Sequence, residues 1–337
     1  MRDDDRLLDL PEPEFGSGVI GPCDICGTRQ AVVVLQEERY RLCVLDFLNK
    51  TWIKSEKKPG SPPPVYRSDR ISFETSAVPS RHAPAIVLSP TKIVRHPAVL
   101  IAPDVYGITT TLLDAAIRFA REGFEVLIPD IAKTDGVSTA SFVTARAAAR
   151  LRGGVATGSK EVVGLVRLYR DALDHLLARE MVDASRAAVF GTSFGASVAL
   201  ALAAESSRLG AVVLAYPMPV RPPDLAKLVS VPLLCVAGSA DRTAARAVAQ
   251  LESSGPDSTR VIVQIPGARH HFLARDLGAY DVARAEQGWA RILEFLRTRM
   301  MPPPSRPPTP PVKPTDPLAT AKPTPAAGAP AARPAAG

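Results

Sequence analysis

Between Ile71 and Met300 the chain repeats one pattern, a short and almost uninterrupted apolar run followed by a longer stretch with apolar residues at helical spacing. Ala98 to Ala102 precedes a helical pattern near Thr110 to Glu122, and Glu125 to Pro129 precedes one near Lys160 to Glu180. Ala187 to Phe190 then leads into an Ala196 to Ala204 helix. After it come the runs Ala211 to Tyr216 and Pro232 to Ala237, an Ala244 to Glu252 helix, the run Val261 to Ile265, and a last helix near Ala279 to Arg299. A strand apolar on both faces must be covered on both faces. Such strands separated by helices therefore predict an α/β fold with a mostly parallel, doubly wound sheet. In sheets of this kind the groups that do chemistry lie on loops at the carboxyl ends of strands.

The chain has 337 residues, 46% of them hydrophobic, enough for one large core with appendages. Lys57-Lys58-Pro59-Gly60-Ser61-Pro62-Pro63-Pro64 breaks all periodicity. The predicted organisation is a small Cys-rich module over 1–56, a linker over 57–70, the α/β domain over 71–300 and a disordered Pro/Ala-rich tail over 301–337. The tail offers no periodic apolar face to offset the entropy of ordering it. It reads first as a solubilising extension and second as a docking segment for a proline-recognising protein partner. Met1-Arg2-Asp3-Asp4-Asp5-Arg6 does not open a signal sequence, and no apolar stretch approaches the roughly 18 residues of a spanning helix. A soluble, cytoplasmic protein with no membrane partner is expected. The net charge of +7 is concentrated in part in the tail, where Arg306, Lys313, Lys322 and Arg333 face the acid Asp316. With no basic stripe interleaved with aromatics, a nucleic-acid partner is disfavoured.

Gly191-Thr192-Ser193-Phe194-Gly195 stands directly between a strand run and an alanine-rich helix, the strand-turn-helix context that a G-x-S-x-G nucleophile turn requires. The turn is so tight that small residues are needed two before and two after the serine, and Gly191 and Gly195 fit that need. Ser193 is the candidate nucleophile, and the backbone N–H of Phe194, at the helix start, the candidate donor to a developing oxyanion. The plain alternative is a Gly-Ser loop entering a helix for capping reasons.

A serine hydroxyl is a weak nucleophile at neutral pH and needs a base that is itself oriented by an acid. In α/β-hydrolases these follow the serine in the order acid, histidine. Asp241 ends the strand run Leu233 to Ala237 and its small-residue turn, and by itself would equally serve as the cap of a helix beginning near Thr243. Of the five histidines, His82, His96 and His175 precede the serine, so the base is His270 or His271, both following the strand Val261 to Ile265.

With these residues placed, the domain from about Ile71 to Met300 resembles the dienelactone hydrolase family of α/β-hydrolases. The likeness rests on Val99-Leu100-Ile101-Ala102-Pro103-Asp104-Val105-Tyr106-Gly107, on Glu122 to Asp130, and on Gly267-Ala268-Arg269-His270-His271-Phe272, which is similar to the family's G-A-x-H-G-F stretch. The resemblance implies that His270 is the base, that His271 stands where the family has glycine, and that Val105 supplies the second oxyanion N–H. It also implies hydrolysis of a small-molecule ester or lactone without a catalytic cofactor. Two departures stand out. The namesakes carry a cysteine nucleophile where this chain has Ser193, so dependence on the histidine should be stricter. Their carboxylate-binding arginines have no motif here, and Arg81, Arg150, Arg152 and Arg242 are candidates by charge alone. Asp104 matches a family acid beside the nucleophile and is either functional or a buried structural carboxylate. The segment from Asp135 to Gly158, rich in Ala, Arg and Gly, is expected to overhang the site.

Cys23-Asp24-Ile25-Cys26 and, sixteen residues on, Cys43-Val44-Leu45-Asp46 have zinc-knuckle spacing, with Asp46 as fourth ligand. A structural zinc is expected over free cysteines, since so small a module cannot rely on its own core. Cys235, inside a strand run, reads as a small buried hydrophobe. The functional expectation is a serine hydrolase acting through an acyl-enzyme. The alternatives are a broader carboxylesterase or thioesterase, or a non-catalytic binding protein that uses the N-terminal module or the tail.

Overall fold

A computed structural model describes residues 33–35, 40–42, 65–254, 259–275 and 277–301. The expected zinc set Cys23, Cys26, Cys43 and Asp46, the 57–64 part of the linker and the tail beyond 301 lie outside the described residues. Strands β1 (Val33–Leu35) and β2 (Tyr40–Leu42) pair antiparallel.

The main domain runs β3 (Tyr66–Glu74), β4 (His82–Pro90), β5 (His96–Ala102), α1 (Thr110–Arg121), β6 (Glu125–Pro129), α2 (Thr139–Arg152), β7 (Val155–Ala156) and α3 (Lys160–Leu177). It continues with β8 (Val182–Thr192), α4 (Ser193–Glu205), β9 (Ala211–Ala215), β10 (Val220–Arg221), β11 (Leu233–Gly238), α5 (Arg242–Ser253), β12 (Arg260–Ile265) and α6 (Val282–Met300). Eight strands form one sheet in the order β12-β11-β9-β8-β5-β6-β4-β3, parallel from β12 to β6 and antiparallel at β4 and β3. The doubly wound α/β sheet is thus present, with a two-stranded antiparallel extension at one edge. β7 and β10 pair separately.

Two elements differ from the sequence expectation. β3 starts at Tyr66, inside the stretch read as linker, and residues 66–70 pair in register with β4 from Tyr66 opposite Pro90. An edge strand with Arg67 and Asp69 facing outward has the composition of a loop, because only one of its faces meets the core. The Asp135 to Gly158 segment contains α2, whose alanines favour helix without marking a continuous apolar face. Ser138 caps its start by accepting from Ser141 N, and Gly153 ends it in the left-handed conformation at φ 79°.

The winding places the site. From β5 the chain goes through α1 to β6 on one side, then returns through α3 to β8 on the other, so the direction reverses between β5 and β8. Because strand-helix-strand connections are right-handed, α1 lies on one face of the sheet and α3 and α4 on the opposite one. α6 joins α1, where Trp289 packs 5.9 Å from Phe119 and 5.8 Å from Phe190. At such a reversal point the loops after the two strands part and leave a crevice at their carboxyl ends.

Candidate active site

β8 runs into α4 with no intervening loop, and the joint falls on Ser193, at φ 51°. A left-handed conformation costs a residue with a Cβ about 1–2 kcal/mol, so this turn is held by its surroundings. The surroundings are backbone. A Cβ on Gly195 would lie 2.4 Å from the carbonyl oxygen of Ala102 and 2.5 Å from that of Pro103, and one on Gly191 would lie 2.6 Å from that of Gly195. The glycines let the Ser193 turn sit directly on the end of β5. Thr192, the α4 cap, makes no side-chain capping bond, which leaves first-turn N–H groups, Phe194 among them, without that acceptor.

The loops after β11 and β12 grip each other in the same way. A Cβ on Gly238 would lie 2.2 Å from the carbonyl oxygen of Ala268, and Ala240 N donates to that same oxygen at 2.9 Å. This contact brings Asp241 and His270 together across 29 residues of chain, with Asp241 Oδ2 2.6 Å from His270 Nδ1. The other carboxylate oxygen, Oδ1, accepts from Thr243 N at 2.9 Å and Ala244 N at 3.0 Å and caps α5. Burial pushes the Asp241 carboxyl up, but the hydrogen bond and charge of His270 and the two backbone donors outweigh it and hold the pKa below the ordinary value. An ionised carboxylate only accepts, so Nδ1 of His270 carries the proton and Nε2 has a free lone pair. That Nε2 lies 3.0 Å from Ser193 Oγ.

On the far side of Ser193, at the end of β5, Asp104 is buried, and its Oδ1 accepts from Val105 N at 2.7 Å. Burial raises the Asp104 pKa, with Arg146 and the Val105 N–H pulling against it. Arg146 reaches in from α2 and is 6% exposed. Its Nη1 is 3.9 Å from Asp104 Oδ2, its Nη2 is 2.9 Å from His271 Nε2, and its guanidinium lies 5.3 Å above the Tyr106 ring. Around the histidines, the rings of Tyr216, His270 and His271 meet edge to face, at 5.3 Å from Tyr216 to each histidine and 4.2 Å between the histidines.

A dienelactone hydrolase family model matches residues 83–300. The chain belongs to the dienelactone hydrolase family. A carboxymethylenebutenolidase of Rhodococcus opacus is 27% identical over 214 residues, covering 59% of this chain and 79% of that protein. Among solved structures, a dienelactone hydrolase-like promiscuous phosphotriesterase from metagenomic libraries shares the fold with a TM-score of 0.56 at 19% identity, covering 70% of this chain and 99% of its own.

In this dienelactone hydrolase family member the structure brings Ser193, Asp241, His270 and Asp104 to one point, with the Phe194 and Val105 N–H groups beside it. It departs from expectation at Val105, whose N–H is turned to Asp104 rather than standing open. Arg81, Arg150, Arg152 and Arg242 are all exposed, and the arginine that enters the site is Arg146. The segment expected to overhang the site carried that signal, without singling out the residue. Tyr216 was also missed; its mark in the sequence is an aromatic residue directly after a buried strand. An open cavity of about 410 Å³ lies between α2 and α3, lined by Ala145, Ala148, Arg152, Val162 and Arg221 and touching Phe194. Cys235 is a buried strand residue whose thiol is pushed up to about 12 by burial and by the charges of Asp241 and Glu252. Among the described residues, no cluster of His, Cys, Asp or Glu could hold a metal, and no helix is long and apolar enough to cross a membrane.

Proposed function

We propose that this protein hydrolyses a small carboxylic ester or lactone through an acyl-enzyme on Ser193. The observation that carries the reading is the unbroken hydrogen-bonded line from Asp241 through His270 to a serine held in a strained turn. Family membership supports ester or lactone hydrolysis, and similarity to a carboxymethylenebutenolidase supports a lactone among the substrates. As Ser193 Oγ attacks the carbonyl carbon, its proton passes to His270 Nε2, and Asp241 stabilises the imidazolium. The tetrahedral oxyanion is met by the Phe194 N–H at the α4 start and by the Val105 N–H, which must turn from Asp104 to reach it. Collapse expels the alkoxide, which takes the proton from His270; in a lactone this oxygen stays tethered to the acyl group. Water then repeats the sequence and releases the acid.

The test compares the full chain with Ser193→Ala on a panel of p-nitrophenyl esters and an enol-lactone, with circular dichroism as the check on folding. The variant should lose activity by a factor of roughly 10³ or more. A fluorophosphonate should add one adduct to the native chain, at Ser193. Equal rates in the two proteins, or no hydrolysis and no adduct in either, would replace this reading with a binding role on a hydrolase scaffold.

A further inference from the structure

Two features near Ser193 have no part in the mechanism above. His271 holds a left-handed backbone at φ 64°, an uncommon conformation for a histidine, and one that glycine would adopt freely. Arg146 sits almost fully buried, with its Nε lacking a partner among the described residues, although a long cation is more easily left in water. Each is unfavourable alone, and they meet. Arginine can only donate, so the 2.9 Å contact from Arg146 Nη2 makes His271 Nε2 an acceptor, and His271 is a neutral ring with its proton on Nδ1. Burial and the neighbouring His270 and Arg146 push its pKa down to about 3, which agrees with an imidazole that is neutral at neutral pH. This ring stands edge-on against His270 at 4.2 Å, while Tyr216 closes another side at 5.3 Å.

We propose that Arg146 and His271 act as a unit that positions His270, with α2 holding the His271 ring and the His271 ring holding the base. The inference rests on the assignment of Ser193, His270 and Asp241 to the chemistry. Apart from the Ser193 contact that it must keep aimed, His270 is held on its Nδ1 side by the hydrogen bond to Asp241, about which its imidazole can swing. Packing by two rings restricts that swing, and the fixed ring of His271 keeps Nε2 aimed at Ser193 Oγ. The same guanidinium stands 3.9 Å from Asp104, so one side chain of α2 touches both the base loop and the turn that bears Val105. The left-handed backbone is the cost of directing a ring, rather than a hydrogen atom, against the base.

Three variants of the full chain test this: Arg146→Met, His271→Asn and the double variant. Asparagine tolerates the left-handed backbone and keeps an oxygen that can accept from Arg146, so His271→Asn should fold even if Arg146→Met does not. Fluorophosphonate labelling carried to completion counts competent serines, and ester hydrolysis per competent serine is then compared. Each single variant should lose about 10- to 100-fold in kcat with KM within about twofold, because misaiming a reacting group costs rate and leaves substrate binding alone. The double variant should be no slower than the slower single one, as expected for two members of one unit. Arg146→Lys should not restore the rate, since a single ammonium cannot address His271 and Asp104 together. The proposal is overturned if kcat per serine is unchanged, which would leave a structural tie only. It is equally overturned if KM alone rises, which would mark Arg146 as a substrate contact, or if the two losses multiply. A native chain that takes no label at Ser193 refutes the hydrolase reading itself, an outcome separate from labelled variants that turn over normally.

Discussion

Asp241 divides its two oxygens between two tasks, so its substitutions should separate activity from stability. Oδ1 accepts from Thr243 N and Ala244 N, and Oδ2 from His270 Nδ1. Asp241→Ala removes both. Loss of the cap costs about 1 kcal/mol, and an unmatched, partly buried His270 N–H about another 1–2 kcal/mol. The total is about 2–3 kcal/mol. Asp241→Asn keeps an oxygen for the cap and places an NH2 against His270 Nδ1. To avoid two opposed donors His270 must move its proton to Nε2, where it can no longer accept from Ser193. Stability should then fall by only about 1 kcal/mol, while kcat falls on the order of 10³- to 10⁴-fold. Urea unfolding at neutral pH gives the first quantity, and ester turnover per fluorophosphonate-reactive serine the second. The reasoning fails if the two variants are equally unstable, or if Asp241→Asn keeps more than about a tenth of the native rate.

His271 is pushed down from an ordinary value of 6.5 to about 3 in the fold, so below 6.5 the unfolded chain takes up the proton first. Its contribution is complete above pH 6.5 and drains away as pH falls toward 3, on the order of a few kcal/mol in all. Urea midpoints from pH 7 to 4 should therefore fall less steeply for His271→Asn than for the native chain, and parallel curves would contradict the shift. Gly195→Ala would force a Cβ to 2.4 Å from Ala102 O, so it should destabilise by at least about 3 kcal/mol or yield insoluble protein; a soluble variant with an unchanged melting temperature would count against the packed turn. Glu125, 1% exposed, has Arg179 Nε 2.8 Å away. Arg179→Met leaves that carboxylate buried without its cation, and calorimetry should register a loss of about 3–5 kcal/mol.

What the sequence made legible was whatever depends on neighbours in the chain. Glu125 to Pro129 reads as a buried strand because all five side chains are buried, and the Ser193 turn reads from two glycines at fixed spacing, although only Gly191 answers to chain neighbours and Gly195 answers to the distant end of β5. Asp241 was open between helix cap and acid; its two oxygens divide, one capping α5 and the other meeting His270 Nδ1. β3 escaped in part because an edge strand shows the core only one face. Arg146 was illegible for a different reason: its contact with His271 spans 125 residues, and one arginine in an alanine-rich helix looks like any other until the helix is docked. The Val105 N–H was assigned to the oxyanion by resemblance, and no pattern reveals that the preceding side chain already occupies it.

The backbone contact between Gly195 and the end of β5 has a consequence for how such a protein can diversify. The Ser193 turn and the strand that leads to Asp104 and Val105 meet at Gly195 backbone to backbone, with no side chain of Gly195 that could be exchanged for a larger or smaller one. That half of the site is inherited whole or not at all. α2, by contrast, borders an open cavity through side chains such as Ala145, Ala148 and Arg152, and these, unlike Arg146, can be traded singly without disturbing the frame. A lineage, or a laboratory selection, seeking a new substrate would find its accepted changes along the cavity wall of α2, while Arg146, 191–195 and 102–103 stay fixed.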